Sequence, residues 1–294
     1  MGLSISKQAG STAPKFRRKS MSRMKDGPVL WIDFTDRRTV YSDASGTLIN
    51  RNEKIRAVEN KAFDRRFGRH IGSSGLALGA SLHQTVVNKQ PTFRTEGGQN
   101  GRSYAQFNGG LEHLLATTTI GNISTDVLSG SRLAGDNLTV FFVARNLSAT
   151  PGIDTLLNIN AYDGGAGQDP IMIGTLSNHH YQVFIGDQSD KSGTVLLDSN
   201  VQATTNAEFW TVIMTTNGSS SFYRNGDTSV GTTSGASKDH LYDLRHNNAN
   251  GSIVLGNGSG GWGGHIYEVL VFNSALPDKE VKEIERQFRQ KYNL

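Results

Sequence analysis

Hydrophobic and polar positions along the chain follow two rhythms. From Ser103 onward apolar residues recur at every second position. Tyr104-Ala-Gln-Phe-Asn108, Leu138 to Arg145, Tyr181-Gln-Val-Phe-Ile185, Phe209 to Met214 and Ser221-Phe-Tyr-Arg224 all read as strands. Asn217-Gly218 and Asn225-Gly226 punctuate them, and such pairs favour the positive φ of tight hairpin turns. Ile266 to Phe272 is short, almost wholly apolar and bounded by glycines and Asn273, which suits a strand buried on both faces. Beyond it the rhythm changes to steps of three and four. Val281, Ile284, Phe288 and Tyr292 form one stripe of a helix opened by Pro277 and Asp278, with Lys282, Glu283, Arg286 and Arg289 turned to water.

Leu48 to Gly75 carries Ile55, Val58, Ala62 and Phe63 at roughly helical spacing among Arg51, Lys54, Arg56, Lys61, Arg65, Arg66 and Arg69. This basic insert predicts a short amphipathic helix lying over the strands; the alternative is a second contact surface for a partner. Two packed antiparallel sheets are the economical way to bury so many half-apolar strands. The 34 glycines against 6 prolines fit many tight turns. A chain of 294 residues is long enough for a sizeable core, and it shows neither a repeat of fixed period nor an internal linker after residue 28. The absence of cysteine excludes disulfides, zinc–thiolate sites and thiol catalysis.

The end of the chain resembles a known family in order and spacing. Gly264, Ile266, Glu268, Val269, Val271, Phe272 and Asn273, then Ala275, Leu276, Asp278 and Glu280, then Lys291 and Tyr292 match the closing strand and helix of LamG-like domains of the concanavalin A-like lectin and glucanase superfamily. Val29 to Phe34 resembles that family's opening strand. Gly101 to Gly110 with Leu114-Leu115, Leu138 to Arg145, and Phe209 to Met214 with Tyr223-Arg-Asn-Gly226 resemble its later strands. The likeness runs from about residue 28 to the end; the insert at 48–75 departs from it. The resemblance implies an all-β fold, a two-sheet antiparallel jelly-roll sandwich with a short C-terminal helix. Residues 1–27 then form an extended basic arm and 28–294 the domain.

Charge sharpens that division. Residues 1–28 hold Lys7, Lys15, Arg17, Arg18, Lys19, Arg23 and Lys25 against Asp26, a net of +6; since the whole chain is +4, the remainder carries −2. Few large apolar residues accompany these bases, so the arm cannot bury enough surface to offset its own ordering entropy. It reads as an anchor on an acidic partner, through those seven bases and Phe16. Phe16 is its only aromatic residue, so no array of stacking side chains points to nucleic acid. No run approaches the roughly 18 apolar residues that span a bilayer, and the first residues lack the apolar stretch of a signal peptide, so neither membrane insertion nor export is expected.

Catalytic chemistry finds little support. Glycoside cleavage needs two carboxylates about 5–10 Å apart, and the Glu-x-Asp-x-x-Glu strand of the superfamily's glucanases is missing. Glu268 has no acid beside it in sequence and reads as a structural acceptor. No nucleophile elbow, P-loop or dinucleotide fingerprint occurs. His179-His180 is not a chelating pair, because neighbours on a strand point to opposite faces. Asp163, Asp169, Asp187 and Asp190 lie in glycine-rich stretches and are weak calcium candidates without a ligand spacing. Trp262, inside Gly260-Gly-Trp-Gly-Gly264, either stacks on a sugar, with Asn257 and Tyr162 beside it, or folds inward to cap the sandwich. No cofactor is expected.

The resemblance, taken with the charge asymmetry, implies a non-enzymatic virion structural protein of a tailed bacteriophage, one setting in which stand-alone LamG-like domains occur. It would be a capsid decoration or fibre-like protein, assembled in the host cytoplasm as an oligomer, with the arm on capsid or other virion proteins and the lectin-like domain displayed outward. A host-adsorption module that binds a surface glycan is the alternative. A coat protein whose arm binds nucleic acid is a third reading.

Overall fold

The computed structural model describes residues 27–28, 30–62, 81–117, 137–148, 154–162, 168–175, 178–186, 193–215, 221–226, 232–233, 252–256, 260–272 and 274–294. Within them the chain forms two antiparallel sheets and one α-helix. The seven-stranded sheet holds β1 (Leu30–Asp33), β5 (Thr92–Arg94), β6 (Tyr104–Asn108), β8 (Asn137–Asn146), β13 (Glu208–Thr215), β14 (Ser221–Arg224) and β17 (Gly263–Phe272). The ten-stranded sheet holds β2 (Val40–Tyr41), β3 (Ala57–Glu59), β4 (Ser81–His83), β7 (Leu114–Thr117), β9 (Asp154–Tyr162), β10 (Gln168–Thr175), β11 (His180–Gly186), β12 (Gly193–Gln202), β15 (Thr232–Thr233) and β16 (Ser252–Leu255). The helix, α1, runs Asp278–Tyr292.

Strand β17 organises the smaller sheet. It pairs with β8 along one side and with β6 and then β1 along the other, and the side chains of 264–272 are all buried. The apolar run therefore is a strand covered on both faces. Its inward residues Ile266, Val269 and Val271 join the main core with Val140, Phe142, Trp210 and Val212, against Ile159, Ile173, Val183, Ile253 and Leu255 of the larger sheet. Its outward residues Tyr267, Leu270 and Phe272 form a second core with Phe141, Val143 and Phe209, beneath Val281, Ile284, Phe288 and Tyr292 of α1. The expected helical stripe is the buried one. Pro277 stands just ahead of it, and Asn293 ends it in the left-handed conformation with its N–H on Arg289 O.

The insert departs from expectation. Its described part, up to residue 62, holds no helix: Ala57–Glu59 is a strand paired with β2 and β4, and Ile55 and Val58 enter the core from extended chain. Two apolar residues three apart also suit a bent, extended segment, and the ladder to Val40 and Leu82 decides it. Residues 63–75 and the arm lie outside the described residues, as does Asn217-Gly218. Asn225 and Gly226 take φ of 50° and 73°, the turn conformation their pairing favours.

Candidate functional site

Two clusters of polar side chains stand out, one under α1 and one on the opposite side of the molecule. The first starts from a bulge. Between Ile266 and Glu268 the register of β17 against β8 shifts by one, so Tyr267 and Glu268 both face α1. Asp33 is the cross-strand partner of Glu268. Two carboxylates thus lie side by side, 2 % and 0 % exposed. Lys291 of α1 donates to both, at 3.1 Å to Asp33 and 2.7 Å to Glu268. Lys61 donates to Asp33 at 2.8 Å and lies over the Trp31 ring. Tyr292 Oη and Trp31 Nε1 complete the Glu268 shell at 2.7 and 2.8 Å.

Burial by itself would raise the Asp33 carboxyl; the ammonium groups of Lys291 and Lys61 more than offset that and hold it well below the usual carboxylate range. Burial and the neighbouring Asp33 push Glu268 up, with the lysines pulling the other way. Asp36 also meets Lys61, at 3.3 Å from the half-buried rim, and solvent does not reach Asp33, Glu268 or Lys291. A glycosidase pair needs an open cleft and a water between its acids, so this cluster cannot cleave a glycoside. It joins the first strand, the last strand and the helix. Sequence reasoning gave Glu268 its acceptor role and missed Asp33, Lys61 and Lys291, which are distant in the chain and meet only through the register.

The second cluster lies on the outer face of the ten-stranded sheet. Its strands alternate: Leu157, Ile159, Ile173, Val183 and Leu197 point into the core, so Asn158, Met172, Gln182 and Asp198 face away, in two rows set two residues apart, Asn158–Met172 and Gln182–Asp198. Asp198 Oδ1 accepts from Asn200 N at 2.7 Å and lies 2.9 Å from His180 Nδ1. Its Oδ2 accepts from Gln182 Nε2 and, at 3.4 Å, from Asn178 Nδ2. His180 and Asp198 are partly open to solvent. Gln182 Oε1 and Asn158 Oδ1 are buried acceptors with no hydrogen-bond partner. Such orphans are costly unless a water or ligand hydroxyl completes them. Val254 continues the face beside Asn158.

The sequence candidates fall elsewhere. Trp262 is wholly buried in the main core, its ring centroid 6.3 Å from that of Tyr181. It takes the inward of its two possible placements and offers no ring to a sugar; the loop turns it under because Gly261 and Gly264 allow backbone to pass close by. The backbone of Tyr162 ends β9, paired with Gln168. Asp169 sits in β10 opposite Ala161, in a strand and not a loop. Asn257, Asp163, Asp187, Asp190 and the arm residues Lys7, Lys15, Phe16, Arg17, Arg18, Lys19, Arg23 and Lys25 lie outside the described residues. Among the described residues no three His, Asp or Glu side chains converge to hold a metal, and no helix is long and apolar enough to cross a membrane.

No family model and no curated protein matches the chain. Solved structures do. A Trypanosoma rangeli sialidase in complex with sialic acid aligns with a TM-score of 0.45 at 12% identity, over 69% of this chain and 30% of that one. The Ruminococcus gnavus IT-sialidase CBM40 bound to alpha2,3 sialyllactose gives 0.43 at 11%, over 62% of this chain and 95% of the other. The NanB sialidase from Streptococcus pneumoniae gives 0.38 at 18%, over 51% of this chain and 24% of that. The chain therefore spans about a third or less of the sialidases it aligns with.

Proposed function

We propose that the chain is a non-catalytic, lectin-like module that binds carbohydrate on the outer face of its ten-stranded sheet. The observation that carries this reading is the Asn178–His180–Gln182–Asp198 cluster, where amides gather around a half-open carboxylate and imidazole. Amides and a carboxylate on a flat sheet match the alternating donors and acceptors of sugar hydroxyls, and the partly exposed Met172 and Val254 supply apolar surface for a sugar ring. The described part of the cluster carries no Lys or Arg, which favours neutral sugars.

Glycan-array binding by the wild-type protein, compared with Asp198→Ala and Gln182→Ala, tests the proposal. Both variants should keep the thermal melt within a few degrees and lose the signal. Wild-type binding that survives both substitutions would move the site elsewhere.

A second reading concerns the arm, and its support is the charge asymmetry of the sequence. A net +6 on residues 1–28 against −2 on the rest fits a segment that fastens an outward-facing domain to an acidic assembly. A capsid decoration or fibre-like protein of a virion is the arrangement that combines both readings. Cross-linking mass spectrometry on the source particle tests it: links from Lys7, Lys15 or Lys19 to a shell protein support the anchor, and links confined to this chain refute it.

A further inference from the structure

The outer face of the ten-stranded sheet reaches well past its polar cluster. Strands β16, β9, β10, β11 and β12 lie side by side in that order. Ile253 and Leu255 point into the core, so Val254 faces out, in one cross-strand row with Asn158 and Met172. Gln182 and Asp198 form a second row on β11 and β12, two residues further along. Val254, Asn158, Met172, His180 and Asp198 are all partly open to solvent, and Asn178 is exposed. The two ends of this strip differ in chemistry. On β16, β9 and β10 two apolar side chains flank an amide. On β11 and β12 the Asp198 carboxylate is held by Asn200 N, Gln182 Nε2 and Asn178 Nδ2, beside the His180 ring.

We infer that the ligand of this face is a linear, neutral oligosaccharide that lies across the strands, its hydroxyls met at β11 and β12 and its rings resting on Met172 and Val254. The inference rests on the carbohydrate reading of this face and adds the length and direction of the chain. Neighbouring strands are about 4.8 Å apart, close to the length of one pyranose unit, so the four steps from β16 to β12 span about 19 Å, or about four sugars. One sugar cannot touch both ends of such a strip. A single sugar held alone also needs a concave pocket that buries most of its surface. The described side chains of this strip instead stand next to one another off a sheet face, where a longer chain adds one shallow contact per strand. The direction follows from what each strand offers. Along β10 the residues two before and two after Met172 are Pro170 and Gly174, neither of which carries a hydrogen-bonding side chain. Partly open polar and apolar groups succeed one another only from strand to strand.

The test is an array of 1,4-β-linked chains of glucose, mannose and N-acetylglucosamine, one to six units long, printed beside single and branched sugars and probed with the full chain. Calorimetry then gives dissociation constants along the best series. Binding should tighten roughly tenfold or more from two units to four, as further ring surface is covered, and level off beyond about four units. Asp198→Ala and Val254→Asp change opposite ends of the strip. Both should weaken binding of the four-unit chain while the thermal melt stays unchanged, and Val254→Asp should bring the levelling-off point down to shorter chains. A single sugar bound as tightly as the four-unit chain overturns the inference and leaves the carbohydrate reading in place. So does binding confined to single or branched sugars, or a Val254→Asp variant that matches the wild type at every length. No glycan bound at all overturns both.

Discussion

Glu268 is held by three groups from the two ends of the chain: the Trp31 indole, the Lys291 ammonium and the Tyr292 hydroxyl. Removing its charge while keeping its shape leaves the buried Lys291 with Asp33, which it shares with Lys61, as its remaining acid. Glu268→Gln should therefore cost about 3–5 kcal/mol, read from urea denaturation; an unchanged midpoint would show that the cluster does not tie these segments together. The partner acid sets a pH dependence. Asp33 has a folded pKa below its ordinary 3.8, so its contribution is complete above that value and is lost as the pH falls below it. Asp33→Asn should flatten that acid limb of the stability curve. Trp262→Ala should lose about 3–5 kcal/mol as a core cavity and leave sugar binding unaffected in whatever fraction still folds.

At the scale of elements, packing geometry is strict where β17 meets its neighbours. A Cβ on Gly264 would lie 2.1 Å from the carbonyl oxygen of Arg145, so Gly264→Ala must push β17 off β8. A melt lowered by many degrees is expected; a wild-type melt would mean that the strands part more easily than their pairing implies. The closing strand and helix were legible in the sequence because each buries a continuous local pattern: Ile266 to Phe272 as one run, Val281 to Tyr292 as one stripe. Strands β9, β10 and β12 were not. Pro170 interrupts the β10 pattern, since proline gives no N–H to a ladder, and Asp198, Ser199 and Asn200 make β12 read as loop. Those stretches become strands because neighbours on both sides pair with them. The polar cluster of the outer face was hidden for the same reason: His180, Gln182 and Asp198 share no local spacing and meet only across strands.

For the whole molecule, the division at residue 28 predicts separable roles. Deleting residues 1–27 should leave a sandwich with the wild-type melt that no longer joins its assembly, measured by co-sedimentation with the particle; a truncated protein that still co-sediments would refute the anchor.

The position of β17 in the chain has a further consequence. The central strand of the seven-stranded sheet emerges from the ribosome after every strand it pairs with, and its clasp to Asp33 depends on Lys291, 258 residues away. Loop closure over such distances is slow. During synthesis Leu30 to Asp33, Tyr104 to Asn108 and Asn137 to Asn146 must wait with their apolar faces uncovered. A nascent chain stalled before residue 263 should remain open to protease, and one stalled with residue 292 clear of the exit tunnel should be protected. Closure thus waits for β17 and α1 to be made, and the interval before it is when the earlier strands are most open to misassembly.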